Sequence, residues 1–173
     1  TPNEKGLRFY ENVLKECVKY GMEPIVTICH FDCPAALIQQ FGAWKSRKMV
    51  GCYLKLCRIL FERYKDLVRY WITFNEINMI LHAPFMASGV IVEGEANPLQ
   101  TKYQAAHHEL LASALATQLA HEINPDNQVG CMLAAGDTYP YTCNPEDVWA
   151  AKLVDRENYF FTDVQIRGKY PAY

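Results

Sequence analysis

The sequence predicts a parallel α/β architecture, and three observations carry that prediction. Short apolar runs alternate with amphipathic helical segments; the first two runs end abruptly in polar residues; and no low-complexity linker or charged tail interrupts the pattern. Such alternation suits either a (β/α) barrel or a doubly wound open sheet and does not choose between them.

Leu7, Tyr10, Leu14, Cys17 and Val18 recur at helical spacing and predict a first helix that stops at Gly21. Pro24 then opens Ile25-Val26-Thr27-Ile28-Cys29, rich in β-branched residues and apolar at both parities, as a strand buried on two sides of a parallel sheet would be. It ends in His30-Phe31-Asp32. Ser46 is the expected N-cap of a helix carrying Met49, Val50, Tyr53, Leu56, Cys57, Leu60, Phe61 and Tyr64. A second apolar run, Val68 to Phe74, leads straight into Asn75-Glu76.

After an irregular stretch containing Pro84, Gly89 and Gly94, Asn97-Pro98 starts a helix over about residues 99–123, which Asn124-Pro125 ends. Val129 to Leu133 reads as a third strand, and Asn144-Pro145-Glu146-Asp147 opens a last helix with Val148, Trp149, Leu153 and Val154. Three strands thus alternate with four helices. A complete eight-fold barrel takes about 250 residues, so a chain of 173 falls several units short of one.

Composition narrows the function classes. Lys+Arg 17 against Asp+Glu 19, with a net charge of −2 and the charges interspersed, gives no electrostatic footprint for nucleic acid or an anionic membrane. The apolar runs are far shorter than the roughly 20 residues that span a bilayer, and no leading basic-then-apolar signal is present, so the expected location is cytoplasmic with no membrane partner. Seven cysteines without a C-x-x-C pair read as reduced, small core residues. Cys29, His30 and Cys33 lack a fourth ligand at a usual spacing, so no metal is expected, and no Gly-rich phosphate turn follows the first strand, so no cofactor is.

In parallel α/β folds ligands sit at the carboxyl ends of the strands. The candidates are therefore His30, Phe31 and Asp32, then Asn75 and Glu76, then Gly136-Asp137-Thr138-Tyr139. Glu76 follows an apolar, aromatic run, where desolvation favours the protonated carboxyl and suits it to general acid work. The bland alternative is a carboxylate that caps a helix or pairs with Arg69. Asn75 and His30 offer donors and acceptors for sugar hydroxyls, and Phe31, Trp71, Phe74 and Tyr139 offer ring faces, although each residue type taken singly is more often structural. His107-His108-Glu109 fails the HExxH pattern, because the spacing from His108 ends on Ala112.

At this point the residues meet a known family. Trp71-Ile72-Thr73-Phe74-Asn75-Glu76 closely resembles the acid/base signature of glycoside hydrolase family 1, and Thr27-Ile28-Cys29-His30-Phe31-Asp32-Cys33-Pro34 resembles the sugar-binding strand end that precedes it there. Phe41-Gly42-Ala43-Trp44 and Tyr159-Phe160-Phe161 fall where that family has similar segments, so the resemblance runs over essentially the whole chain. The family's usual Asn-Glu-Pro is here Asn75-Glu76-Ile77. With Asn78-Met79, Leu81-His82-Ala83-Pro84-Phe85 and Ala105-Ala106-His107-His108-Glu109, the chain is most similar to the bacterial 6-phospho-β-glucosidases; Phe31 stands where many members carry Trp.

The resemblance implies a (β/α)8 TIM barrel, of which residues 1–173 are a single partial domain of roughly three central β/α units, the N-terminal and C-terminal units lying outside it. It implies retaining hydrolysis of a small-molecule β-glucoside carrying a 6-phosphate, or of an unphosphorylated one. Glu76 would be the general acid/base, Asn75 would bind the 2-hydroxyl, His30 another hydroxyl, and Phe31 and Tyr139 would line the sugar site. A double displacement needs a second carboxylate about 5 Å away, which the family supplies from a Glu-Asn-Gly motif. That motif does not occur here; Glu157-Asn158 is followed by Tyr159. Taken alone, three strands leave two unpaired edges, so the isolated chain is expected to be catalytically inactive and to form homo-oligomers.

Overall fold

The computed structural model describes residues 2–173. In chain order the elements are α1 (Glu4–Lys19), β1 (Ile25–Cys29), α2 (Ala35–Phe41), α3 (Lys48–Tyr64), β2 (Tyr70–Phe74), α4 (Met79–His82), α5 (Pro84–Ser88), α6 (Pro98–Ile123), β3 (Gln128–Gly130) and α7 (Pro145–Arg167). The four predicted helices are all present, and α2, α4 and α5 are short additions after β1 and β2.

The three strands form one parallel sheet in the order β1-β2-β3, with Cys29 opposite Phe74 and Ile72 opposite Gly130. Each crossover leads to the adjacent strand, an order that a segment of a barrel and one half of a doubly wound sheet share. The crossover helices α3 and α6 pack against each other, and the core lies where they meet the sheet.

Helix chemistry explains the boundaries. In α6, Asn97 Oδ1 accepts the Gln100 backbone N–H at 3.0 Å, and Pro98 stands at the first turn, where no N–H is needed. The buried face of α6 includes Ala105, Ala106, Ala112, Ala116 and Ala120, whose small side chains let its backbone come close to α3. From α3, Met49, Val50, Tyr53, Cys57, Phe61 and Tyr64 point inward at steps of one, three and four residues. Phe61 meets Trp71 of β2 edge to face at 4.9 Å, and each ring buried this way contributes about 1.5–3 kcal/mol over leaving it exposed. The predicted cap Ser46 sits two residues before α3, with its Oγ accepting from the Lys48 N–H at 3.3 Å. α1 ends in the reverse turn expected at Gly21, whose φ of +71° suits glycine, and Met22 N–H donates back to Cys17 C=O at 2.9 Å.

Two sequence expectations fail for one reason. β1 is not buried on both sides: Ile25 is 66% exposed and Ile28 is its one buried residue. The third strand is three residues long instead of five, and residues 131–140 have no regular structure. Among the described residues β1 and β3 are the edges of a three-stranded sheet, so each has a ladder on one side only. Apolar stripes of the outer helices are open as well, among them Phe9, Tyr10 and Val18 of α1 and Val148, Trp149, Leu153 and Ile166 of α7.

The cysteines are all free thiols, but only Cys57 is fully buried, and Cys143 is exposed. Burial pushes the Cys33 thiol up to about 11 and the Cys57 thiol up to about 12, so both stay protonated and unreactive near neutral pH.

Candidate active site

The carboxyl ends of β1 and β2 are tied together beyond the strands themselves. Asn75 N–H donates to Cys29 C=O at 2.9 Å, which continues the β1–β2 ladder by one step and sets His30 and Asn75 at the same level on neighbouring strands. Next to Asn75, Ile77 N–H donates to Met132 C=O at 3.2 Å, in the segment after β3. Glu76 therefore stands between two backbone anchors that reach opposite neighbours.

Its own backbone is left-handed, with φ +41°. That conformation costs a residue with a Cβ about 1–2 kcal/mol, and here it turns the chain out of β2 into the turn that leads to α4. Phe31 does the same after β1, with φ +67°. Non-glycine residues held in this region gather at functional sites, where the surrounding structure fixes them. Periodicity and composition gave no warning of either, because neither position is glycine.

Glu76 is half-buried and Asn75 is buried. His30 is exposed; its backbone N–H donates to Asp32 Oδ1 at 2.7 Å, a tight turn that fixes the strand end, and its ring meets Phe31 edge to face at 5.7 Å. The strand-end cluster thus unites His30, Phe31, Asn75 and Glu76 on two adjacent strands. Tyr139 does not join it: its side chain is 81% exposed, on the irregular segment five residues past Ala134. Arg69, the alternative partner for Glu76, lies at the opposite end of β2 and donates to Asp126 C=O at 3.1 Å. Trp71 and Phe74 are core rings, not sugar platforms: Phe74 stacks on Tyr53 at 4.7 Å and meets Trp44 at 5.3 Å, while Trp71 Nε1–H donates to Asn127 Oδ1 at 3.2 Å.

Beneath this cluster lies a polar layer that sequence reasoning missed. Tyr53 Oη–H donates to Thr73 C=O at 2.6 Å, Thr73 Oγ1 and Ser113 Oγ are 2.8 Å apart, and Gln165 Nε2 of α7 donates to Ser113 Oγ at 3.1 Å. The chain of bonds links α3, β2, α6 and α7 through buried atoms. Glu109 of α6 is buried too, and burial alone pushes its carboxyl well above the usual carboxylate range. The neighbouring His108 Nδ1 is 2.8 Å from Trp44 C=O, so it carries the proton and Nε2 accepts from Gln104. Glu157, which is followed by Asn158, lies within α7 and is exposed, 3.7 Å from His82.

Comparison with known proteins gives this arrangement its context. The family model described as "Glycosyl hydrolase family 1" matches residues 1–173. The chain is 59% identical over 173 residues to a 6-phospho-beta-glucosidase, AscB, of Escherichia coli, covering 100% of this chain and 36% of that protein. It is 50% identical over 172 residues to an aryl-phospho-beta-D-glucosidase, BglH, of Bacillus subtilis, covering 99% of this chain and 37% of that one. The fold superposes on a family 1 β-glucosidase from Thermotoga maritima with a TM-score of 0.86 at 31% identity, over 99% of this chain and 38% of that one. The chain therefore spans little more than a third of the length of the relatives it matches, as about three β/α units of a TIM barrel. It belongs to glycosyl hydrolase family 1.

Proposed function

We propose that the protein carrying this chain is a retaining β-glycosidase that acts on 6-phospho-β-glucosides, with Glu76 as its general acid/base. The observation that carries the proposal is Glu76 itself: a carboxyl on a strained, left-handed residue, anchored on both sides by backbone bonds at the carboxyl end of a central parallel strand. The phosphate rests on the names of the relatives, which are a 6-phospho-beta-glucosidase and an aryl-phospho-beta-D-glucosidase.

In the first step the Glu76 carboxyl gives its proton to the glycosidic oxygen as the C1–O bond breaks, the bonding electrons leave with that oxygen, and a second carboxylate bonds to C1. In the second, Glu76 takes a proton from water as the water oxygen attacks C1 and the second carboxylate departs, which restores both groups. Asn75 binds the 2-hydroxyl and His30 another hydroxyl of the same ring, with Phe31 and Tyr139 beside the sugar. The tie between Cys29 and Asn75, which levels the two strand ends, supports the pairing of His30 and Asn75. Tyr139 can take its part only through movement of the segment that bears it. The second carboxylate belongs to another part of the protein, since the sequence holds no Glu-Asn-Gly.

The test is hydrolysis of an aryl 6-phospho-β-glucoside and of its unphosphorylated counterpart by the whole protein and by Glu76→Gln. Turnover of the phosphorylated substrate should fall by about 10²–10⁴-fold in the variant, the usual worth of a positioned acid/base. A variant that keeps full turnover refutes the role of Glu76, and a preference for the unphosphorylated glucoside refutes the substrate class.

A further inference from the structure

The ladder between β2 and β3 ends at Ile72 and Gly130, yet the segments that follow the two strands meet again beyond it. Ile77 N–H reaches Met132 C=O, and then a side chain takes over. Asn78 Oδ1 accepts the Ala134 N–H at 3.0 Å, and Asn78 Nδ2 donates to the Ala134 C=O at 3.0 Å. One primary amide thus satisfies both polar groups of a residue in the adjacent segment, as an opposing strand would. Nδ2 also lies 3.3 Å from Asn158 Oδ1 of α7, so its second hydrogen has an acceptor as well. The side chain is 1% exposed, which makes every one of these bonds costly to lose.

Only asparagine meets the requirement at this distance from the backbone. A carboxylate cannot donate to Ala134 C=O, an apolar residue offers neither half, and glutamine would need another 1.5 Å of room in a closed site. The clamp is two residues from Glu76, at the far end of a turn whose near end is pinned to β1 through Asn75.

We propose that Asn78 is a positioning residue: it fixes the height and direction of the Glu76 carboxyl by locking the left-handed turn to the segment after β3 and to α7. This rests on the reading of Glu76 as the acid/base. Asn78 touches no reacting atom. It acts where the rate depends on the position of the Glu76 carboxyl, and kcat/KM reads the first such step, transfer of the Glu76 proton to the leaving oxygen as the C1–O bond breaks.

Leaving-group dependence isolates that step. A dinitrophenolate departs without a proton and a phenolate departs poorly without one, so a displaced acid penalises the phenyl substrate selectively. The whole protein, Asn78→Ala, Asn78→Asp and Glu76→Gln are compared by kcat/KM on phenyl and dinitrophenyl 6-phospho-β-glucosides. Asn78→Asp keeps the size of the residue and the acceptor for Ala134 N–H, so it guards against a misfolded alanine variant. Both Asn78 variants should lose on the order of 10²-fold on the phenyl substrate, as a displacement of about 1 Å costs, and less than about threefold on the dinitrophenyl one, where no proton transfer is at stake. For Asn78→Asp the loss on the phenyl substrate should shrink as pH falls, because the protonated carboxyl regains a donor for Ala134 C=O. Equal losses on the two substrates, no loss on either, or a loss in Asn78→Asp that does not vary with pH overturns the proposal. If Glu76→Gln itself shows no leaving-group dependence, the reading of Glu76 fails, independently of Asn78.

Discussion

The left-handed backbone of Glu76 predicts that glycine is better tolerated there than alanine. At an ordinary position in regular structure Gly is less stable than Ala by about 0.5–1 kcal/mol, because it has more freedom to lose on folding. At φ +41° the alanine Cβ keeps a strain of about 1–2 kcal/mol that glycine lacks. Subtracting the entropic cost of about 0.4–1 kcal/mol leaves Glu76→Gly more stable than Glu76→Ala by about 0.8 kcal/mol at the mid-range values, opposite in sign to the ordinary case. Both variants lack the carboxyl, so any effect of the lost charge cancels in the comparison. Urea unfolding of the two proteins should show a higher midpoint for glycine with an unchanged slope. A glycine variant less stable than the alanine one would mean that Glu76 is not held in the left-handed region, and the account of the site as a strained turn between two anchors would fall with it.

Two further outcomes follow from the buried polar groups. Glu109 has its carboxyl raised by burial, so the folded state holds a proton that the unfolded state releases above its ordinary value of 4.5. Stability is then fully present below that value and falls as pH rises, by up to about 1.4 kcal/mol per pH unit, until the folded-state value is reached. Glu109→Gln should remove this slope, with denaturation midpoints that match the parent near pH 4 and exceed it at pH 7; parallel pH profiles would contradict the assignment. Tyr53→Phe removes the donor that satisfies Thr73 C=O and should destabilise by about 1–3 kcal/mol, read by the same denaturation, whereas a change within error would show that the 2.6 Å bond contributes nothing net.

The parts of the fold that the sequence made legible are those decided by local pattern. The inward stripe of α3, the Asn97-Pro98 start of α6 and the strand before Asn75-Glu76 were readable because spacing and caps depend on neighbours in sequence. The length of β3 and the burial of β1 were not, since they depend on how many strands share the sheet. Within the site, the placement of His30, Asn75 and Glu76 at two adjacent strand ends followed from the parallel alternation, with the family resemblance adding their roles. The left-handed backbone of Phe31 and Glu76 was invisible because non-glycine strain is imposed by surroundings. The clamp made by Asn78 is invisible as well, since an amide bonded 56 positions away has no local signature. Tyr139 shows the opposite failing: it follows a predicted strand in sequence, but the short β3 leaves it on an open segment.

Ile77 gives the turn a property that the usual Asn-Glu-Pro of the family lacks. Its N–H donates to Met132 C=O, and proline has no hydrogen to give. A proline there stiffens the preceding residue through its ring, a constraint built into the covalent chain and present even before folding. Here the same carboxylate is steadied by a bond that forms only when the segment after β3 has arrived. Glu76 is thereby coupled to the completion of the next β/α unit, so its geometry reports on folding there, and perturbing Met132 or Ala134 should reach Glu76 without any change of residue at the strand end itself.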